Sequence, residues 1–464
     1  MTRTRPGDIL LIACYELGHQ PLSLASPLGL LAEAGYAPAA LDLSVEPLSP
    51  SVVAQARFVA ISVPMHTALR LGEQTAARVR QINPSAHVCF YGLYAWLNAD
   101  YLLRGPADTV VAGEYEQPLL DLIQSLERGE AGPIAGVGTR ARRAEPYLHR
   151  LRFILPKRDT LPPIARYAHF VSDGDHRLAG YVEASRGCLH TCLHCPITPV
   201  YNGRFFVVPA EIVLADIRAQ VNAGARHITF GDPDFLNGPG HSLKIVRALH
   251  DEFPAVTFDL TAKVEHILEF RDLFLEFRAL GCAFVVSAFE STSDLVLASL
   301  AKGHTRADMT EALQIVADAG IPLRPSWVAF TPWTSLDDYV EMLEFVRAND
   351  LIDHIDPVQY SIRLLVPPGS ALAAQPDNAA WLGKLEPGNY AYRWDHPDPR
   401  MDALYHAVSE RLERAAAAGE DGRTTFGAIR DLAYAATGTQ PAADDQPPAA
   451  NHWAVPHLTE SWFC

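Results

Sequence analysis

The chain has 464 residues, 48% of them hydrophobic, too long for one ordinary domain and apolar enough to bury two or three cores. A formal charge of −16 with no run of Lys or Arg argues against broad nucleic-acid binding, and no apolar stretch reaches the roughly 18 residues of a membrane span. The basic N-terminus runs into a strand pattern rather than a signal peptide, and the cysteines outside one cluster (Cys14, Cys89, Cys282 and Cys464) are too dispersed for a disulfide framework, so a reducing cytoplasm is the expected compartment.

Residues 8–14, an apolar run, predict a buried parallel strand, and a helix is expected from about Leu24 to Ala34 with Gly35 as its C-cap. Strands at 38–43, 57–63, 86–91 and 109–112 alternate with helices at 67–82 and 117–126. Five short strands interleaved with helices predict a doubly wound, flavodoxin-like parallel sheet over residues 1–128, with a ligand at the carboxyl ends of its strands. The loops there carry His19, Gly92, Gly113 and Glu114. Residues 129–177, rich in Pro and Arg, read as a connector that packs across both domains.

Gly187-Cys188-Leu189-His190-Thr191-Cys192-Leu193-His194-Cys195 follows an apolar lead-in. Three thiolates at C-x3-C-x2-C spacing can hold three corners of an iron–sulfur cluster and leave the fourth iron open, whereas a fully protein-held cluster takes four cysteines. A structural zinc site, with His190 or His194 as fourth ligand, is the alternative reading. The βα alternation then resumes: strands 227–230, 256–261, 283–288, 323–330 and 358–365, separated by helices. With the strand feeding the cysteine loop they make six βα units, a partial (β/α)6 TIM-type barrel over 178–370. Cys188, Cys192, Cys195, Asp232, Asp234, Lys263, Glu290 and Gln359 then map to its carboxyl end, where barrel chemistry sits. Trp327, Trp333, Tyr360 and Arg363 are further candidates at the mouth. Residues 371–436 read as helical, 437–450 as a flexible tether, and the aromatic peptide 452–464, ending in Trp462-Phe463-Cys464, is expected to dock back on the protein.

The cysteine loop resembles that of radical S-adenosylmethionine (SAM) enzymes. The resemblance implies a [4Fe–4S] cluster on Cys188, Cys192 and Cys195, SAM on its open iron, reductive cleavage to a 5′-deoxyadenosyl radical, and an external donor such as flavodoxin or ferredoxin. It also implies SAM contacts: Gly231-Asp232-Pro233-Asp234 at the amino group, Ser287 and Glu290 at the ribose or methionyl part, and His194 near the adenine, where an aromatic is usual. The N-terminal sheet is similar to a cobalamin-binding domain, which implies nucleotide-tail contacts at Gly92, Gly113 and Glu114 and raises His19 as a lower cobalt ligand, although the family's Asp-x-His-x-x-Gly motif is missing. Tyr15 to Pro21 and Ser185 to Pro196 resemble the radical SAM group with a CUAEP/CCAEP tail. That implies an adjacent cysteine or selenocysteine after Cys464, reached by reading an in-frame UGA, and a tail thiol delivered to the barrel mouth. The expected function is radical modification, methylation above all, of a small metabolite or peptide, or radical transfer of another SAM fragment or a rearrangement. A non-catalytic cluster or cobalamin sensor is the alternative class.

Overall fold

The computed structural model describes residues 5–130, 132–149, 151–440 and 455–460. The first sheet contains β1 (Ile9–Ala13), β2 (Ala39–Asp42), β3 (Phe58–Ser62), β4 (His87–Tyr91) and β5 (Thr109–Val111), all parallel and in the order β2-β1-β3-β4-β5. This is the doubly wound arrangement that the alternating pattern predicts. Both faces are covered, which is why β1 reads as an unbroken apolar run. Leu10 and Ile12 join one core; Ile9, Leu11 and Ala13 join the other. The connector adds a sixth strand, β6 (Val137–Gly138), antiparallel to β5.

The second sheet curls into a half-barrel. It uses β7 (His169–Ser172), β8 (Asp175–Val182), β11 (His227–Phe230), β12 (Thr257–Thr261), β13 (Cys282–Glu290) and β14 (Leu323–Trp327); a small antiparallel pair, β9 (Ser185–Gly187) with β10 (Phe205–Val207), brackets the cysteine loop. β8 and β11 to β14 run parallel, each leading into a helix whose apolar face joins one large core. The expected sixth strand is not formed. Pro357 opens a 3-10 turn over Pro357–Ser361, leaving a single parallel bridge, Phe330 to Arg363. The Gln359 side chain, not a neighbouring backbone, accepts from the Trp327 N–H at 3.0 Å.

The C-terminal region holds helices Pro399–Ala418 and Gly422–Thr437, as the pattern predicts, and a hairpin, β15 (Leu382–Glu386) with β16 (Ala391–Trp394), that it does not. Residues 455–460 return to the molecule. Within them β17 (His457–Leu458) pairs antiparallel with β7 and extends the half-barrel sheet. The tether and Cys464 lie outside the described residues. No helix of the described residues is long and apolar enough to cross a membrane.

Candidate active site

The cysteine loop leaves the carboxyl end of β8 and is anchored at both ends. Asp232, just after β11, accepts from the Ala184 N–H at 2.9 Å and the Ser185 hydroxyl at 2.6 Å, and its burial pushes its carboxyl up to about 7. Gly231, beside it, has no room for a side chain, because a Cβ there would overlap the Tyr181 ring. Past the third cysteine, the Thr198 hydroxyl donates to the Cys192 carbonyl at 2.9 Å. Cys188, Cys192 and Cys195 are free thiols near enough to feel one another's charge, and burial pushes the Cys195 thiol up to about 12. The other described cysteines, Cys14, Cys89 and Cys282, are buried within the two domain cores. Among the described residues the loop therefore has three thiol donors and no fourth, the donor set of a cluster with one open corner.

The zinc alternative weakens on the same geometry. His190 turns Nε2 toward Asp234 (3.4 Å) and Nδ1 toward Lys263 (3.3 Å), away from a role as fourth thiol partner. His194 Nε2 lies 3.1 Å from Glu290 Oε1, which Lys302 Nζ also reaches at 3.1 Å. Burial alone would raise the Glu290 carboxyl, but Lys302 and His194 outweigh it and hold the group far below the usual range. Glu290 sits at a bulge ending β13 with φ of 65°, the left-handed region that non-glycine residues rarely adopt, so the backbone is bent to aim this carboxylate.

Several expected site residues are used otherwise. Ser287 alternates with Val286, which faces the barrel interior, and so shares the opposite face with Val285 and Phe289, against the helix layer. Its hydroxyl is buried there without a hydrogen-bond partner among the described residues. Trp327 and Tyr360 are core residues, each 1% exposed; Arg363 stacks on Trp394 at 3.7 Å and pairs with Asp402, and Trp333 packs on Trp381. Of Lys263, Trp327, Trp333, Tyr360 and Arg363, Lys263 is the one hydrogen-bonded to the cysteine loop among the described residues, through His190.

Glu114 and Gly113 join the two domains instead of exposing a ligand loop. Arg186, two residues before Cys188, is buried and reaches Glu114 at 2.8 Å, Glu116 at 2.6 Å and Glu183 at 2.9 Å, while the Tyr201 hydroxyl donates to Glu114 at 2.7 Å. Gly113, with φ of +75°, bridges the connector at Tyr147, whose backbone N would lie 2.7 Å from an added Cβ. Gly92 packs on the Val63 backbone. Arg158 completes the connector's grip with Asp216 at 2.7 Å and the Tyr181 carbonyl at 2.8 Å. Arg186, Asn237, Lys302 and His266 were not singled out as site residues from sequence. Arg186 stands inside the Ser185 to Pro196 segment, which was the available signal; no local pattern marks His266.

Between the domains lies a chamber of about 180 Å3 lined by Leu17, His19, Tyr181, Asp232, Leu458 and Glu460 among others. His19 stacks on Tyr181 with ring centroids 4.6 Å apart, and burial lowers its imidazole to about 4, so it is neutral at pH 7. Residues of the C-terminal strap close the chamber: the Tyr15 hydroxyl donates to Glu460 at 3.1 Å, and Gly18 packs on the Glu460 side chain.

Residues 182–346 match the Radical SAM superfamily. That stretch is similar to a radical SAM domain. The domain spans β8 to the helix after β14, the same region that the cysteine loop organises. A tRNA-2-methylthio-N(6)-dimethylallyladenosine synthase of Desulfosudis oleivorans is 26% identical over 200 residues, 41% of this chain and 42% of that protein. The chain thus spans less than half the length of this relative. The fold is shared with OxsB, described as a cobalamin-dependent S-adenosylmethionine radical enzyme with aqua-cobalamin and S-adenosylmethionine bound, at a TM-score of 0.66 and 15% identity over 88% of this chain and 66% of that one. It is also shared with TsrM of Kitasatospora setae, a radical S-adenosylmethionine methyltransferase with cobalamin and a [4Fe-4S] cluster bound, at 0.60 and 16% over 75% and 74%.

Proposed function

We propose that this enzyme holds a [4Fe–4S] cluster on Cys188, Cys192 and Cys195, binds SAM at its open corner, and uses cobalamin to methylate a carbon of a small metabolite or peptide. The observation that carries the reading is the loop itself: three neighbouring thiols and no fourth among the described residues, at the carboxyl end of the parallel strands. Bound together, the cluster and SAM would supply a carbon-centred radical on reduction, and cobalamin a transferable methyl group. Buried polar atoms without partners around the loop, Asn237 Nδ2 and His194 Nδ1, fit a bound polar group there. The chain's own task is positional. Asp232 fixes the loop's entry, the Glu290–Lys302–His194 group presents a fixed ionised carboxylate beside the third cysteine, and Arg186 locks the loop against the first sheet.

Cobalamin at the domain junction is supported by the fold shared with OxsB and TsrM and by the neutral His19 imidazole facing the chamber, a state in which a ring nitrogen can ligate a metal. The chamber's 180 Å3 is below the about 300–1,000 Å3 of ordinary ligand pockets, so a corrin requires the strap at 455–460 to move aside. That same covering favours a second reading, in which the enzyme transfers another SAM fragment without cobalamin. The net charge of −16 supports a small or peptide substrate over RNA, although the relative in Desulfosudis oleivorans is named for a tRNA modification.

Anaerobic reconstitution with added cobalamin, followed by cobalt and iron counts and assay for reductant-dependent 5′-deoxyadenosine, tests the proposal. It expects one cobalt and about four iron per chain. A full cluster with SAM cleavage and no cobalt would replace methyl transfer with the second reading, and iron without SAM cleavage would remove the radical function.

A further inference from the structure

We propose that His190, Asp234 and His266 form a second metal site, for a divalent ion of the zinc or ferrous class, distinct from the cluster on the three cysteines. One donor atom from each residue lies within 4.8 Å of the other two, and the three come from separate elements: the cysteine loop, the segment after β11, and the helix after β12. His266 Nδ1 stands 2.7 Å and His190 Nε2 3.4 Å from the same oxygen, Asp234 Oδ2.

A proton-bridged ion pair between His266 and Asp234 is the competing account: burial lowers the His266 imidazole, but Asp234 outweighs it and raises the group above its usual range. The hydrogen-bond geometry at His190 Nε2, Asp234 Oδ2 and His266 Nδ1 is poor, since each atom is buried and without a well-angled partner among the described residues, and a metal count separates the two accounts. Asp234 is 1% exposed. A buried carboxylate oxygen facing two imidazole nitrogens is unfavourable unless a cation, a proton or a metal ion, joins them. Asp234 Oδ1 is already engaged, accepting from the Leu236 N–H at 3.1 Å, which orients Oδ2 toward the two rings. Both histidines ligate only as neutral imidazoles; at His190 the Lys263 ammonium stands 3.3 Å from Nδ1, so metal binding through Nε2 requires Lys263 to turn fully to Glu265, whose Oε2, 3.6 Å away, can then accept from the Nδ1–H.

Two imidazoles and one carboxylate suit zinc or ferrous iron and leave coordination positions open for water or substrate. The ion would pin the stretch between Cys188 and Cys192 to the ends of β11 and β12. It does not rest on the radical reading, since it needs no cluster.

The test is a metal count on anaerobically purified holoenzyme, with acid-labile sulfide measured in parallel. One divalent ion per chain beyond the iron matched by sulfide is expected, lost in His266→Gln and in Asp234→Asn while the sulfide-matched iron stays. Co2+ titration of the Cys188→Ala, Cys192→Ala, Cys195→Ala triple variant, checked for folding by circular dichroism, should give visible ligand-field absorption saturating at one equivalent and abolished by adding His266→Gln. No excess ion in the wild-type protein, or an excess unchanged in both His266→Gln and Asp234→Asn, overturns the site. An excess ion with no sulfide-matched iron would instead overturn the cluster assignment and leave this site standing.

Discussion

Two parallel sheets meet in this protein, and their carboxyl edges are treated differently. At the edge of β1 to β5 the loops are filled by the chain itself: Tyr147 lies on Gly113, Val63 on Gly92, and Glu460 on Gly18. At the edge of β8 and β11 to β14 the loops converge on thiols, imidazoles and carboxylates whose polar atoms are in part left without partners. The same topology offers a binding edge in both cases. What separates them is which side chains stand there and which other segments cover them. Arg186 joins the two edges, so a change at one should be felt at the other.

Cys192→Ala separates the edges most sharply. Iron binding and reductant-dependent SAM cleavage should fall to background while the first sheet keeps its circular dichroism signal. Arg186→Met should follow in size. It leaves Glu114 buried, and Glu116 and Glu183 half-buried, without their cation, a loss of about 3–5 kcal/mol by the usual cost of breaking a buried ion pair. Denaturant unfolding measures this, and an unchanged midpoint would mean the two edges are not coupled through it. Gly113→Ala should cost about 1–3 kcal/mol, because alanine must hold the left-handed φ and push Tyr147 away. A cost near zero would show that the connector leaves this edge easily.

The pH response is smaller. Burial raises Glu16 and Glu183 to about 7 each, whereas an unfolded glutamate titrates near about 4.3. The folded state therefore holds protons the unfolded chain has released, and these groups' contribution is present in full below about pH 4.3 and lost as pH rises through about 7. Thermal midpoints should decline by a few degrees between pH 5 and 8, and Glu16→Gln should flatten that slope. Deleting residues 455–460 with the tail should have the least effect on stability, since β17 pairs over two residues, yet it should increase cobalamin uptake in a cobalt-binding assay.

Local pattern alone reached far. The apolar runs of β1 to β5 and of β11 to β14 announce buried parallel strands, and the spacing of Cys188, Cys192 and Cys195 marks the candidate cluster loop, because both signals are written in consecutive residues. Four placements came only with the tertiary structure. Gln359 satisfies the edge of β14 with a side chain, so the expected sixth strand closes into a turn. Ser287 falls on the helix side of β13 by strand alternation, and Glu114 is drawn into the Arg186 ion-pair group 72 residues away. His266 meets Asp234 and His190 only because the ends of β11 and β12 stand side by side, a neighbourhood that parallel pairing creates and no local spacing encodes.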